Sequence, residues 1–184
     1  MTLRGLARSR LVLERSKATA EGPPETFEDF YRREYISVVG LAYALSGSRS
    51  GAEDLAQEAF LAAHRNWERI LGYERPGAWV RRVVANLSVS AFRRGIAEAK
   101  AVARAALGER TELRDFGAAH PDFWWAVRAL PRRQAQVVAL FYLEDLPISD
   151  VAEILDMTPG TVKRHLHRGR QALARRLRIP EDEA

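Results

Sequence analysis

The C-terminal part of the chain contains the stretch that decides the fold, ISDVAEILDMTPGTVKRHLHRGRQALARRLR at residues 148–178. Its apolar spacing predicts a short helix over residues 149–155, followed by a turn at Asp156-Met157. Thr158 and Pro159 are typical of the N-cap and the first residue of a second helix. A short helix, a tight turn and a second helix make up a helix-turn-helix. Glycine is usual in such a turn, but aspartate also tolerates the left-handed conformation.

The second helix of this motif has two chemically different sides. At 100° per residue, the apolar side carries Val162, Leu166, Leu173 and Leu177. The opposite side carries Arg164, His167, Arg168, Gln171 and Arg175. Seven Lys or Arg residues and no acid lie between Met157 and Pro180, which suits contact with phosphates and with guanine edges. The pattern favours a DNA-reading helix, and a solvated basic helix is the alternative.

Composition excludes several classes of protein. The chain has 184 residues, which allows one ordinary domain or two small ones. Apolar residues make up 47% of it, and no apolar run approaches the ~18 residues of a membrane span. The basic N-terminus lacks the continuous apolar stretch of a secretory signal, so we expect a cytoplasmic protein. The chain contains no cysteine, which excludes disulfides, thiolate metal sites and thiol redox switches.

The charge pattern indicates a nucleic-acid partner. The net charge is only +5, but the cations are clustered where a polyanion could lie and the acids are clustered elsewhere. Only Lys17, Lys100 and Lys163 of the 29 basic residues are lysines. A GC-rich genome explains that arginine bias equally well.

Breaks in the apolar pattern divide the chain into four segments. Residues 1–25 are basic and end close to Gly22-Pro23-Pro24, which predicts a flexible arm. Helical patterns cover 26–95 and 121–180, and the Ala-, Glu- and Arg-rich residues 96–120 between them predict a flexible linker. No strand signal or repeat is present. The fold class is therefore all-α: two small helical domains joined by a flexible linker, the C-terminal one a helix-turn-helix.

The first domain is predicted to contain three helices. Apolar residues recur at helical spacing from Phe27 to a stop signal at Ser46-Gly47-Ser48. Ser50-Gly51-Ala52-Glu53 is a capping box, which predicts a second helix that runs to about Trp67. A loop with Gly and Pro leads into a third helix, which is predicted to continue to Arg94.

The second helix has an acidic outer side. Its predicted core side consists of Ala52, Ala56, Ala59, Phe60, Ala63 and Trp67. The predicted exposed side carries Asp54, Gln57, Glu58 and Leu61. A leucine among carboxylates on an outer face favours a protein partner. An ordinary polar face with one exposed leucine is the alternative.

The third helix combines an aromatic ring, an amide and cations on one side. Its apolar side is Val80, Val83, Val84, Leu87 and Ala91. The opposite side is Trp79, Arg82, Asn86, Ser90 and Arg93. Unstacked bases are held by aromatic stacking, edge hydrogen bonds and cations, so this stripe suits single-stranded nucleic acid. The alternative is that Trp79 closes the core and the arginines are solvated.

These motifs resemble those of the extracytoplasmic-function sigma factors, within the sigma-70 family. The run from Ala52 to Phe60 resembles their core-polymerase-binding helix, and Pro76 to Val80 with Ala85-Asn86-Leu87 and Arg93-Arg94 resembles the segment that melts and reads the −10 element. Two further stretches, Leu130 to Gln134 and Ile148 to Arg168, resemble the −35-reading domain. The resemblance covers about residues 26–94 and 121–178.

The resemblance implies a role for each segment and surface. Residues 26–95 would be sigma region 2, and residues 121–180 would be sigma region 4. The core polymerase-binding residues would be Asp54, Gln57, Glu58 and Leu61, docking on the clamp helices. The −10 DNA-binding residues would be Gly72, Tyr73, Glu74, Arg75, Trp79, Arg82, Asn86 and Arg93, with the loop from Gly72 to Arg75 and Asn86 capturing a flipped base. The −35 DNA-binding residues would be Thr161, Lys163, Arg164, His167, Arg168 and Gln171.

The implied partners are core RNA polymerase, through its clamp helices and flap, and promoter DNA. The −10 element would be bound as a single strand and the −35 element as a duplex. A separate anti-sigma factor is also implied, and contact with a membrane is expected only through that partner. The linker 96–120 would run toward the active-site channel and the RNA exit path.

Two residues depart from the family pattern. Ser90 stands where aspartate is common, which puts contacts with the promoter strand in doubt. Gly169 replaces a usual alanine, which we expect to loosen the last helix by roughly 0.5–1 kcal/mol.

A stand-alone helix-turn-helix regulator is the first rival interpretation. It would bind a palindromic duplex as a dimer, but it leaves the acidic face and the Trp79 stripe unexplained. An enzyme is the second rival. His165 and His167 diverge on a helix, His64 and His120 are isolated, and no phosphate loop or nucleophile motif is present. We therefore expect no catalytic residue, no metal site and no cofactor.

Overall fold

The computed structural model describes residues 25–88 and 121–178. The helices in these ranges are α1 (Phe27–Ser46), α2 (Arg49–Arg65), α3 (Trp67–Leu71), α4 (76–88), α5 (Pro121–Arg128), α6 (Arg132–Tyr142), α7 (Ile148–Leu155) and α8 (Pro159–Leu177). No strand occurs in either described range, and the predicted all-α fold class is confirmed. The predicted linker 96–120 and residues 1–24 of the predicted arm lie outside the described residues.

Helix α1 begins and ends where its sequence signals predict. Thr26 is the N-cap, and its Oγ1 accepts a hydrogen bond from the backbone N–H of Asp29 at 3.2 Å. Gly47 is the C-cap with φ +87°, and its N–H donates to the Tyr43 carbonyl at 2.9 Å. Glycine adopts this left-handed conformation without a Cβ penalty, so the stop signal acts through Gly47.

Both predicted ends of the second helix need correction. The N-cap of α2 is Ser48 rather than Ser50, and its Oγ accepts from the Gly51 N–H at 3.1 Å. Ser48 is extended and can reach this orphan donor, whereas Ser50 already lies inside the first turn. The helix ends at Arg65 because Asn66 leaves helical geometry and donates from Nδ2 to the Ala62 carbonyl at 2.8 Å. Trp67 therefore belongs to the next helix, α3.

The N-terminal core is built around aromatic rings of α1. Phe30 is fully buried, with its ring centroid 4.8 Å from that of Trp67 and 6.3 Å from that of Phe60. Phe27 meets Trp67 edge to face at 5.5 Å. Burying a large apolar side chain contributes about 1.5–3 kcal/mol, so these rings hold α1, α2 and α3 together.

The C-terminal half contains the predicted helix-turn-helix. Helix α7 ends at Asp156, which has φ +53°, and Thr158 caps α8 by accepting from the Thr161 N–H at 3.2 Å. Pro159 is the first residue of α8, as predicted. Helices α5, α6 and α7 all pack against α8.

The crossing of α6 and α8 gives Gly169 a packing role. Gly169 is buried, and a Cβ at this position would lie 2.9 Å from Cγ2 of the fully buried Val138. Besides the expected loosening of α8, which stays a prediction, Gly169 allows α6 to lie close, because a Cβ here would force Val138 to shift.

The two halves are packed against one another. Their buried residues form one continuous apolar cluster, and α1 contacts both α5 and α6. Gln136 of α6 is fully buried and donates from Nε2 to the Ala85 carbonyl of α4 at 2.6 Å. The sequence predicted two helical units but did not predict this contact between them.

Candidate nucleic-acid interface

Helix α8 presents a basic surface on the C-terminal half. Val162, Leu166 and Leu173 are buried on its inner side. The outer side places together the exposed side chains Lys163, Arg164, His167, Arg168 and Gln171. Thr161 is half-buried at the start of the helix, with its hydroxyl 2.9 Å from the Thr158 hydroxyl. Five of the six predicted −35 residues therefore share one exposed face, and Thr161 also takes part in the cap.

His165 of α8 is half-buried close to several arginines. Burial, followed by the neighbouring Arg168, Arg164 and Arg133, lowers the pKa of His165 from 6.5. Its buried Nδ1 has no hydrogen-bond partner among the described residues. The exposed cations of the predicted −35 residues are Lys163, Arg164 and Arg168.

Helix α2 presents the predicted acidic face to solvent. Its buried side comprises Ala52, Leu55, Ala56, Ala59, Phe60 and Ala63. Asp54, Gln57 and Glu58 are all exposed, and Leu61 is 57% exposed. Leu61, on the same side of α2 as Asp54 and Glu58, is therefore accessible to a partner protein.

Some of the predicted −10 residues are exposed in the structure, and others contact the rest of the chain. Gly72, Tyr73 and Glu74 are exposed in the loop before α4, and Asn86 is exposed on α4. Trp79 is half-buried and packs against the core, so it contributes to the core and also remains partly accessible. Arg93 lies outside the described residues.

Arg75 and Arg82 contact the C-terminal half. Arg75 forms an ion pair with Asp150 at 2.6 Å and a second one with Glu153. The hydrogen bond with Asp150 is the main cause that raises the pKa of Arg75. Arg82 donates from Nε to the Ile154 carbonyl at 3.1 Å and from its NH2 group to the Glu153 carbonyl. Two cations of the predicted −10 residues, one from the loop before α4 and one from α4 itself, thus lie against α7.

Arg81 lies at the contact between the two halves of the chain, a role that was not predicted from the sequence. Its guanidinium donates to Glu34 Oε2, Glu144 Oε2 and Ser37 Oγ, each at 2.7 Å. Burial acts to lower the pKa of Arg81, but the Glu144 and Glu34 carboxylates outweigh it and raise that pKa. The sequence held one signal of this role, since Arg81 is close in the helix to Val80 and Val84, which are buried. An arginine that is buried beside them requires acidic partners.

In residues 25–88 and 121–178, no three His, Asp or Glu side chains are grouped so as to hold a metal ion. None of the described helices combines the length and the apolar character needed to span a membrane.

Comparison with known proteins decides the family. The model of sigma-70 region 2 matches residues 30–95, and the model of sigma-70 region 4 matches residues 124–173, which together exceed half of the chain. The chain is 30% identical to the ECF RNA polymerase sigma factor SigM of Mycobacterium tuberculosis over 163 residues, which cover 87% of this chain and 81% of SigM. The chain belongs to the extracytoplasmic-function sigma factors of the sigma-70 family.

A second relative matches this sigma factor over nearly its full length. The ECF RNA polymerase sigma factor SigW of Bacillus subtilis is 26% identical over 182 residues, which cover 91% of this chain and 97% of SigW. Helices α1 to α4 lie within the region 2 match or begin just before it, and α5 to α8 accompany the region 4 match.

A solved structure shares the fold. It contains the sigma factor RpoE in complex with the anti-sigma factor NepR from Bartonella quintana. The TM-score is 0.64 at 21% identity, with coverage of 84% of this chain and 99% of RpoE. The helical architecture of this sigma factor is therefore that of a known family member.

Proposed function

We propose that this sigma factor binds core RNA polymerase through α2, reads the −35 element through α8 and binds the melted −10 strand through α4 and the loop before it. One observation carries the proposal: the acidic face with Leu61 and the basic face of α8 are both exposed, on opposite halves of one chain. A stand-alone DNA-binding protein has no need of the first face.

The α8 face suits duplex DNA. Lys163, Arg164 and Arg168 are exposed on a helix that is held by a capped turn and a buried apolar side. Arginine and lysine contact phosphates and the guanine O6 and N7 atoms in the major groove. The second helix of a helix-turn-helix enters that groove with its N-terminal part, where these residues lie.

The α2 face suits a basic protein surface. Asp54 and Glu58 repel DNA, and the 57% exposed Leu61 gives an apolar centre to the contact. We assign Asp54, Gln57, Glu58 and Leu61 to the clamp helices of the polymerase.

Promoter opening requires binding energy rather than covalent chemistry. Extruding and unstacking a base costs a few kcal/mol, which contacts with the unpaired strand offset. Tyr73 is 41% exposed in the loop before α4, and Asn86 is exposed on α4 itself, so both are available to such a base. The members of this family are transcription factors, and we assign no catalytic residue to this chain.

The segment boundaries follow from this proposal. We assign residues 26–95 to region 2 and residues 121–180 to region 4, with 96–120 as the linker and 1–25 as an additional arm. Acting with RNA polymerase places the protein in the cytoplasm.

An anti-sigma factor is a further proposed partner. RpoE of Bartonella quintana was solved in complex with NepR, and we propose that this chain is also held by a protein inhibitor. Affinity purification from native cells should recover a stoichiometric partner under at least one growth condition, and recovery of the chain alone under every condition would contradict this.

The decisive experiment is transcription in vitro. Purified core polymerase is supplied with genomic fragments, with and without the protein, and transcripts are mapped. We expect start sites that depend on the wild-type chain and that are lost with an Asp54→Arg, Leu61→Arg double variant. Glu68→Arg, at an exposed position on α3, serves as the charge control and should retain activity. Tight duplex binding without any polymerase-dependent transcript would instead indicate a stand-alone regulator.

A further inference from the structure

The α2 face is exposed among the described residues, and it consists of Asp54, Gln57, Glu58 and Leu61. Leu61 is 57% exposed, and Tyr31 at the neighbouring edge of α1 is 36% exposed. The ring centroid of Tyr31 lies 4.7 Å from that of Phe60, the residue before Leu61. A segment that covers this face must therefore bring apolar side chains for Leu61 and Tyr31 and cations for the carboxylates.

The N-terminal arm has this combination in its sequence, although residues 1–24 lie outside the described residues. These residues include two acids, Glu14 and Glu21, and five basic residues, Arg4, Arg8, Arg10, Arg15 and Lys17. The apolar run at 11–13, Leu-Val-Leu, comes shortly before Arg15 and Lys17. The composition of the arm is therefore complementary to the α2 face in charge and in apolar content.

The arm is attached to the folded chain beside the α2 face. Its last residue, Glu25, forms an ion pair with Arg33 of α1. Helix α1 begins at Phe27, whose ring centroid lies 4.9 Å from that of His64 in an edge-to-face contact. His64 follows Leu61 on α2 by about one helical turn. The arm thus joins α1 close to the C-terminal end of the α2 face.

The arm is also long enough to reach the acidic end of that face. From His64 back to Asp54, α2 extends by about 15 Å at ~1.5 Å per residue. Lys17 precedes Glu25 by eight positions. An extended chain of that length spans up to about 26 Å. Lys17, and Arg15 two positions further, can therefore approach the carboxylates of α2.

We propose that the arm binds the α2 face in the free sigma factor and that core polymerase must displace it. In this arrangement Arg15 and Lys17 pair with the carboxylates of the face, and the apolar run at 11–13 packs on Leu61. The inference rests on the proposed role of the α2 face in polymerase binding. Because the arm is tethered, its effective concentration at the face is on the order of millimolar, so weak contacts are sufficient to hold it there. The apparent affinity for polymerase falls to the fraction of molecules whose face is uncovered.

Binding of the arm is tested in the full-length chain without polymerase. Because the chain contains no cysteine, Ser16→Cys accepts a single nitroxide label between Arg15 and Lys17. Paramagnetic broadening of the backbone amide signals is measured by NMR. We expect strong broadening at residues 54–61 of α2 and little at residues 164–171 of α8. The double variant Asp54→Lys, Glu58→Lys, at two exposed positions, should remove the broadening on α2.

The affinity for core polymerase is measured by microscale thermophoresis with labelled core and the unlabelled full-length chain. The double variant Arg15→Glu, Lys17→Glu should release the arm. Core binding should then tighten by about tenfold, the gain expected where the wild-type arm covers the face in about nine of ten molecules. Arg4→Glu, Arg8→Glu makes the same change of charge at positions to which no contact is assigned. This matched control should change the affinity less than about twofold.

Absence of broadening on α2 in the wild-type sequence would overturn the inference. Mixing nitroxide-labelled chains with isotope-labelled chains that lack the nitroxide shows whether the contact forms between molecules, and broadening of that origin alone would make a second copy the occupant and also overturn it. Unchanged core affinity in Arg15→Glu, Lys17→Glu, or equal tightening in the control, would do the same. These results refute only the binding of the arm. Failure of the wild type and of every arm variant to bind core polymerase refutes the proposed function instead.

Discussion

Arg81 of α4 and Glu144 of the segment between α6 and α7 form an ion pair 63 positions apart in the sequence, with 2.7 Å between Nε and Oε2. Their side chains are only 13% and 5% exposed. Glu34 of α1 accepts from the same guanidinium at 2.7 Å. Arg81 therefore pairs with one carboxylate of its own region, Glu34, and with one of the other region, Glu144. This shared cation is one of several polar contacts between the two regions, beside Gln136 with Ala85 and Arg82 with α7.

Replacement of Arg81 should be strongly destabilising. Arg81→Met leaves two poorly hydrated carboxylates without their cation, and breaking such a pair from one side costs about 3–5 kcal/mol. Urea unfolding should show this loss, and Arg32→Met at an exposed ion pair of α1 should cost less than about 1 kcal/mol. Equal small effects for both variants would contradict the central role of Arg81.

Two glycines of α8 should respond oppositely to alanine. Gly160 is exposed, and a Cβ added there would lie 4.0 Å from its nearest neighbour, so Gly160→Ala should stabilise by up to about 1 kcal/mol through helix propensity. At Gly169, a Cβ meets Val138 at 2.9 Å, and Gly169→Ala should lower stability by about 1–3 kcal/mol through overpacking. Thermal unfolding of both variants checks the sign. A rise in Tm for Gly169→Ala would show that α6 yields easily.

Acid should weaken the contact around Glu34. Burial acts to raise the pKa of Glu34, but Arg81 and then Arg33 outweigh it, so the folded pKa lies below 4.5. The folded chain then binds fewer protons at this site than the unfolded chain, and the stabilisation is complete above pH 4.5 and is lost as the pH falls through the lowered folded pKa. Glu34→Gln should reduce the slope of unfolding free energy against pH in this acidic range. The exposed Glu28→Gln is the control on the same helix, and an identical slope change in both would refute the assignment.

Two residues of the α8 face should separate affinity from specificity. If Lys163 contacts a phosphate, Lys163→Ala should weaken binding to all duplexes similarly. The slope of log affinity against log salt concentration should then fall by about one. A base contact by Arg164 predicts a loss of about 1–3 kcal/mol that is confined to the preferred duplex. Fluorescence anisotropy against preferred and scrambled duplexes at several salt concentrations measures both effects. Arg69→Ala, an exposed arginine of α3, should leave binding to both duplexes unchanged.

The sequence by itself determined the local features of this protein. Thr158, Pro159 and the apolar spacing of 162, 166 and 173 predicted the turn and the two sides of α8, because caps and helical periodicity involve residues at most a few positions apart. The exposure of Leu61 followed from the same periodicity. The predicted N-cap of α2, Ser50, was wrong, and the cap is Ser48. The two serines have the same side chain, so only the backbone geometry distinguishes them.

Only the tertiary structure decided which residues of distant segments meet. Arg82 was predicted to bind the −10 strand, and in the structure it donates to carbonyls in the last turn of α7. The contacts of Glu144, Gln136 and Gly169 were not predicted. Contacts between regions depend on how whole apolar surfaces pack, and neither a helical period nor a cap carries information about a partner more than fifty positions away. The sequence therefore predicted the surfaces of this sigma factor, and the packing of its regions determined which of them are covered.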